Sequence, residues 1–480
     1  MASFIRTPRI VLAALRGGAG KTLLSVGIVA ALRKRGYRIG AFKKGPDYID
    51  AGWLGLAADG VCHNLDPYLF SRQILLNSFA EKSQGAEIAI VEGNRGIFDG
   101  VDAQGSFSTA EMSKTLKAPA ILIIDTTKMT RTAAAMALGC CALDPSLKLK
   151  GIILNRVGGS RHERVVTEAI EHAVSVPVVG CVRKLSLENF PQRHLGLLPL
   201  HEHPGALDFI RDAAVVAEQS INLDRLVDIA AEAGELALEE FPLPNRRSDD
   251  YSGIRIGVIR DSAFQFYYPE NLEALSNQGA ELVFISALKS EVLPDVHAVY
   301  IGGGFPETHA EQLAQNNIFK RSLYEAVERG LPVYAECGGL MYLCRTLRID
   351  ERVYPMTGVF QVDTVLERKP QGLGYIQVEV TGANPFFRKG DRLTGHEFHY
   401  SSLGGVLPDR MYSFSVLRGH GMDGHRDGLC RLNALGTYMH LHALGEPRWA
   451  GGLLRKAAEF KASCEDSRSL AMVVESGSTR

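Results

Sequence analysis

Ile10-Val11-Leu12-Ala13-Ala14-Leu15 runs directly into Arg16-Gly17-Gly18-Ala19-Gly20-Lys21-Thr22, and a helical pattern over 21–35 follows. Six apolar residues without alternation read as a strand buried on both faces. Gly17, Gly18 and Gly20 let successive backbone N–H groups turn toward one point at the helix start, where a triphosphate can sit. Lys21 would reach the outer phosphates, and the Thr22 hydroxyl would bind Mg²⁺. This strand–loop–helix unit predicts an ATP-binding α/β domain with a mainly parallel sheet.

Further strands are expected at 38–42, 87–91, 120–125 and 151–155, besides 9–15. The second ends in Phe42-Lys43-Lys44-Gly45-Pro46-Asp47-Tyr48-Ile49-Asp50. Gly-Pro forces a turn at the carboxyl end of a strand, where ligands of open parallel sheets bind. Lys43 there could neutralise phosphate charge, and Asp47 and Asp50 could hold Mg²⁺ or orient a substrate. The third strand ends in Val91-Glu92-Gly93-Asn94-Arg95-Gly96-Ile97-Phe98-Asp99. Glu92 stands where a metal-binding acid belongs, and Asp99 lies in the following loop. Mg²⁺ needs only one or two carboxylates beside phosphate oxygens, which this set supplies. Asn64-Leu65-Asp66-Pro67 reads equally well as a helix cap or a turn.

A chain of 480 residues exceeds one ordinary core. Lys plus Arg is 53 against 54 for Asp plus Glu, which speaks against nucleic acid or a membrane surface as partner. No apolar run is long enough to span a bilayer. The eight cysteines include no CxxC pair and fit a reducing cytoplasm. We expect an ATP-dependent domain over 1–240, a polar, proline-containing linker over 241–252, a second α/β domain over 253–462 and a loose tail over 463–480.

The second domain should contain strands at 254–259, 282–285, 298–301 and 333–335. Glu336-Cys337-Gly338-Gly339 then reads as a sharp strand-to-helix turn presenting a nucleophile. The helix start would lower the thiol pKa. Backbone N–H groups of Gly303, Gly304 and Gly338 could form an oxyanion hole. A cysteine nucleophile needs a base. In Thr437-Tyr438-Met439-His440-Leu441-His442 a strand would point both histidines to one face. His440 could be the base and His442 its orienter, or the reverse; His396 and His399 are rivals for the base.

With these motifs assembled, the chain resembles the cobyrinic acid a,c-diamide synthase family over 8–450. The matching pieces are the Gly-Lys-Thr loop, Lys-x-Gly-Pro-Asp-Tyr-Ile-Asp at 43–50, Asn-Leu-Asp-Pro at 64–67 and Arg-His-Leu-Gly at 193–196. They continue with Gly-Gly-Gly-Phe-Pro-Glu at 302–307, Glu-Cys-Gly-Gly-Leu-Met-Tyr at 336–342, Gly-His-Glu-Phe-His-Tyr-Ser at 395–401 and Tyr-x-His-Leu-His at 438–442. The resemblance implies a P-loop, dethiobiotin-synthetase-like parallel-sheet domain followed by a class I glutamine amidotransferase-like α/β domain. By the same analogy Asp47, Tyr48 and Ile49 order a tetrapyrrole substrate, Glu92 and Asp99 serve ATP and Mg²⁺, and His440 pairs with Cys337. Two stretches depart from the usual pattern. Asn94-Arg95 replace Val-Met, and Leu15-Arg16-Gly17 replaces a Thr-Ser-Ser type, with Arg16 where the deviant loop of partition ATPases carries its signature Lys.

The expected reaction is the amidation of the a and c acetate side chains of cobyrinic acid. ATP would phosphorylate the carboxylate, and ammonia released from L-glutamine at Cys337 would displace the phosphate. Sirohaem and nickel-sirohydrochlorin are the alternative substrates. A reading of another class is a partition-type ATPase switch with an inert second domain; Cys337 in its turn, with His440 at hand, argues against it. A homodimer is compatible with all of these.

Overall fold

The strand Arg9–Ala14 is buried along its whole length and lies near the middle of a seven-stranded sheet. In the computed structural model, residues 3–184, 192–193, 196–197, 200, 203, 205–238, 250–405 and 407–477 are described. The expected linker core, 241–249, and His194-Leu195 of the Arg-His-Leu-Gly motif lie outside them. The chain divides into two units, Met1–Leu243 and Pro244–Arg480.

In the first unit the strand order is Cys62–Leu65, Ile39–Lys44, Ile88–Glu92, Arg9–Ala14, Ala120–Asp125, Leu149–Val157 and Val178–Arg183, all pairs parallel. Parallel strands need crossover connections, and helices cover both faces. Lys21–Lys34, Ala206–Ser220 and Leu223–Ala231 pack into one core; Arg131–Leu143 and Ser160–Ala173 pack into the other. Gly27 permits the first of these contacts: a Cβ there would stand 2.4 Å from the Ala213 carbonyl oxygen. Strand order reverses beside Arg9–Ala14, so the strand ends at Lys43 and Glu92 and the helix start at Lys21 lie at one edge.

The second unit has a nine-stranded sheet. Its parallel part runs Glu281–Ile285, Arg255–Ile259, Ala298–Ile301, Val333–Glu336 and Ala434–Thr437. The antiparallel strands Arg426–Arg431, Tyr412–Arg418, Gly372–Val380 and Arg392–His399 extend it. A four-stranded sheet lies at Cys344–Ile349, Arg352–Pro355, Phe360–Leu366 and Ser401–Gly404. Trp449 is fully buried and packs edge-on against Tyr300 and Tyr334. Its truncation to Ala would cost roughly 3–5 kcal/mol.

The expected loose tail is corrected: one helix runs Arg448–Gly477. Polarity suggested a free end, but the stretch contains no proline to stop the helix that begins at Arg448. No helix among the described residues is long and apolar enough to cross a membrane.

Candidate functional site

The loop after Arg9–Ala14 takes the shape its glycines allow. Gly18 and Gly20 have φ of 72° and 92°, where a side chain is strained. Gly20 is also crowded: a Cβ would meet the Asn155 amide at 2.3 Å. Asn155 in turn donates to the Ala19 carbonyl at 2.8 Å, and Arg156 donates to that of Gly18 at 3.0 Å. Gly17 has no such constraint. Lys21 donates to the Arg95 carbonyl at 2.8 Å. Burial, with Lys43 nearby, lowers its pKa. Arg16 pairs with Asp125 at 2.9 Å, and Arg156 shares the same carboxylate oxygen at 2.7 Å.

Lys43 and Glu92 stand opposite each other on neighbouring parallel strands. Lys43 Nζ lies 2.8 Å from Glu92 Oε1, 2.6 Å from Asp50 Oδ2 and 3.8 Å from Asp47 Oδ2, with the side chain only 1% exposed. The Thr22 hydroxyl donates to Glu92 Oε1 at 2.9 Å. Burial alone would lower the Lys43 pKa, but the three carboxylates hold it well above the ordinary value. Burial likewise pushes Asp50 up, yet the Lys43 charge and hydrogen bonds from Lys43 and Thr22 bring it below normal. Burial raises Glu92, and it raises Asp47 to about 7 with the Asp50 charge adding to it.

Thr22, Asp50 and Glu92 therefore converge, as does Lys43. Asp99 is placed differently: its Oδ2 accepts from the Gly96 N–H at 2.9 Å and holds the shape of its own loop. Asp47 Oδ1 accepts from the Asp50 N–H at 2.9 Å, at the start of the helix Ile49–Ala58 that Tyr48 caps. Ile49 packs partly buried against the core. Asn64 donates to the carbonyls of Gly45 and Asp47, at 2.8 and 3.0 Å, and so props the Gly-Pro turn. Asp66 Oδ1 accepts from the N–H groups of Tyr68 and Leu69, a turn contact. Among the described residues no three His, Cys, Asp or Glu side chains are arranged to hold a metal by themselves.

In the second unit Cys337 follows the buried strand Val333–Glu336 with φ 47° and ψ −100°. A non-glycine residue held there is strained, and its neighbours fix it: its N–H donates to the Thr437 carbonyl at 2.7 Å. Gly338 and Gly339 are required by close backbone; their Cβ atoms would lie 3.0 Å from Gly304 N and 2.6 Å from the Ile301 carbonyl oxygen. Gly304 and Gly338 thus approach each other beside the cysteine. The expected lowering of the thiol pKa is corrected. Burial, then the Glu307 charge, pushes it well up, and the Gly338 N–H offsets this only in part. The helix that follows, Gly338–Leu343, is short.

Strand Ala434–Thr437 lies beside Val333–Glu336 with Thr437 opposite Glu336, so the His-Leu-His segment emerges next to the cysteine. The strand stops at Thr437, and His440 instead makes a single antiparallel bridge to His396. The two histidines consequently have separate surroundings. His440 Nδ1 lies 3.2 Å from Glu336 Oε2, and Glu336 Oε1 accepts from the Leu441 N–H at 3.2 Å. The Tyr300 hydroxyl donates to the same Oε2 at 3.2 Å. Gly303 leaves room for the ring, since a Cβ there would stand 2.5 Å from His440 Cε1.

His442, the expected orienter, has other contacts: its Nδ1 accepts from the Leu444 N–H at 3.2 Å, and its Nε2 lies 3.5 Å from Glu270 Oε2. The rivals are occupied as well. His396 stacks on His440 at 4.8 Å, and burial with the His440 and His442 charges keeps its pKa well below normal. His399 donates from Nδ1 to the Ser401 carbonyl at 2.8 Å and stacks on Tyr438 at 3.7 Å.

Both units match known families. Residues 10–197 match the CobQ/CobB/MinD/ParA nucleotide binding domain, and residues 255–448 match the CobB/CobQ-like glutamine amidotransferase domain. The cobyrinate a,c-diamide synthase of Magnetococcus marinus is 40% identical over 453 residues, covering 94% of this chain and 97% of the relative. That of Archaeoglobus fulgidus is 39% identical over 457 residues, covering 95% and 98%. That of Methanothermobacter thermautotrophicus is 39% identical over 455 residues, covering 94% and 100%.

The chain belongs to the cobyrinate a,c-diamide synthase family.

As a member of this family it is a glutamine-dependent amidating ligase with a P-loop nucleotide-binding domain and an α/β amidotransferase domain. Glu336 was absent from the residues singled out by sequence, although it sits inside the Glu-Cys-Gly-Gly motif. The available signal was its position: one residue before Cys337 on a strand, its side chain lies on the opposite face from that of Ala335. Tyr300, on the adjoining strand Ala298–Ile301, was missed because only the strand order brings it to Glu336.

Proposed function

We propose that this chain uses ATP and L-glutamine to amidate the a and c acetate carboxylates of cobyrinate, in the formation of cobalamin. The supporting observation is the pairing of Glu336 with His440 beside the strained Cys337 turn. If Nδ1 of His440 donates to Glu336, Nε2 is the nitrogen able to take a proton. His440 then removes the Cys337 proton, which a thiol held protonated by burial requires. The sulfur attacks the glutamine amide carbon, and the backbone N–H groups of Gly304 and Gly338 face the developing oxyanion, with Gly303 making room for the base. Ammonia leaves, and water hydrolyses the thioester.

In the nucleotide-binding unit the loop amides and Lys21 stabilise charge on the phosphoryl group as it passes to the substrate carboxylate. The orphaned Glu92 Oε2, buried with no hydrogen-bond partner among the described residues, fits a hard cation, as does the all-oxygen donor set. Thr22, Asp50 and Glu92 would hold Mg²⁺ with phosphate oxygens, and the ion would screen phosphate charge. Asp47, Tyr48 and Ile49, at the start of the helix Ile49–Ala58, would order the tetrapyrrole carboxylate.

The test is mass spectrometry after incubation with ATP, glutamine and a panel containing cobyrinate, sirohaem and nickel-sirohydrochlorin. Each amidation replaces a hydroxyl by an amino group and lowers the mass accordingly. A shift on cobyrinate at two sites is expected. A shift on sirohaem or nickel-sirohydrochlorin alone would move the activity to that macrocycle.

A further inference from the structure

Lys43 is the most deeply buried cation of the nucleotide-binding unit's polar cluster, and its position conflicts with the metal ligands around it. Its ammonium lies 2.6 Å from Asp50 Oδ2 and 2.8 Å from Glu92 Oε1. The Thr22 hydroxyl is 2.9 Å from that same Glu92 oxygen. Mg²⁺ sits about 2.0–2.1 Å from its oxygen ligands. An ion bridging Asp50, Glu92 and Thr22 would overlap the ammonium, so the two cations exclude each other.

We propose that the Lys43 ammonium is a resident counter-cation of the metal site, holding the space between Asp50 and Glu92 until a nucleoside triphosphate arrives to receive it. This rests on the reading above that Thr22, Asp50 and Glu92 hold the ion.

Three observations carry it. Lys43 and Glu92 are in register on adjacent strands, so the pairing is built into the sheet rather than made by a wandering side chain. Glu92 is wholly buried, and its Oε2 has no hydrogen-bond partner among the described residues, which leaves a ligand atom in reserve. Lys21 stands near enough to Lys43 for the two charges to repel. A bare divalent ion would add two more positive charges to this pair and strand a buried ammonium without a partner, which is unfavourable. A triphosphate reverses that balance. It offers oxygens to both lysines while bringing the ion with it. The metal therefore enters with the nucleotide and not ahead of it.

The experiment is a titration of the full chain with Mn²⁺, free ion being counted by electron paramagnetic resonance, without nucleotide. Lys43→Met should bind one Mn²⁺ at least about tenfold more tightly than wild type, because the competing cation is gone. Lys43→Gln keeps a hydrogen-bonding head of similar reach and should move the same way; it replaces Lys43→Met should circular dichroism find that variant unfolded. Adding Glu92→Gln should abolish the gain. Equal Mn²⁺ affinity in wild type and the Lys43 variants overturns the proposal, and so does a gain that survives Glu92→Gln. A parallel titration of wild type with Mn²⁺–ATP separates the two readings. Failure to bind there removes the nucleotide assignment itself. Binding there with unaltered Lys43 variants removes only the counter-cation.

Discussion

Nδ1 of His440 lies 3.2 Å from Oε2 of Glu336, the residue that immediately precedes Cys337. The two come from neighbouring parallel strands, and Tyr300 and the Leu441 N–H hold the carboxylate from other sides. Such a carboxylate fixes which ring nitrogen carries the proton.

Replacing it by an amide should therefore disturb the tautomer while preserving shape. Glu336→Gln is expected to lower glutamine hydrolysis by roughly 10²- to 10⁴-fold, the range for a misassigned tautomer in a catalytic triad. His442→Asn should cost far less, because His442 faces Glu270. Steady-state glutaminase rates of the two variants decide; a larger loss in His442→Asn would restore it as the orienter.

Cys337→Ala should remove glutamine-dependent amidation by at least ~10³-fold, as loss of a nucleophile does. Ammonium salts at alkaline pH, where free ammonia is present, should restore product formation with ATP. Product that ammonium fails to restore would place Cys337 outside the ammonia-releasing step.

Gly303→Ala sets a Cβ 2.5 Å from His440 Cε1 and 3.3 Å from its Nε2. The ring must shift, and a displacement near 1 Å can cost about 10²-fold in rate. We expect that loss in kcat for glutamine with thermal unfolding little changed. Wild-type kcat in this variant would mean the ring is not held where it lies here.

The thiol of Cys337 is raised by burial and by Glu307 above an ordinary value of 9.0. Below its pKa the thiolate fraction grows about tenfold per pH unit. Modification by a small thiol reagent should thus be slow at neutral pH and climb steadily through pH 9, followed by mass spectrometry of the cysteine peptide. A rate already flat at pH 7 would indicate a preformed thiolate instead.

Lys21→Met should abolish ATP-dependent amidation and leave basal glutamine hydrolysis in place, since the proposed mechanism gives Lys21 and Cys337 different half-reactions. Coupled assays of ADP and glutamate release distinguish them.

Much of this was readable before any fold was seen, and the reason is locality. The phosphate loop, the Gly-Pro turn and the Cys337 turn each lie within one short segment whose glycines and flanking strands announce its shape. Contacts across strands were less legible. Sequence placed Glu92 and Lys43 at separate loops in separate roles, and only the strand register sets one against the other. The His440–Glu336 pairing depends on which strand adjoins Val333–Glu336, which periodicity does not reveal. Asp99 was grouped with the metal ligands by analogy, and its contact with the Gly96 N–H is not one that the motif announces. The final helix escaped because polarity, used to find chain ends, says little about helix propensity.

His440 and Glu336 are 104 positions apart, and the strand that brings them together is added last to the parallel part of its sheet. During synthesis the ribosome makes the Cys337 turn well before it makes the segment carrying His440. Until Ala434–Thr437 docks, the growing polypeptide carries the Cys337 turn without the His440–Glu336 contact beside it.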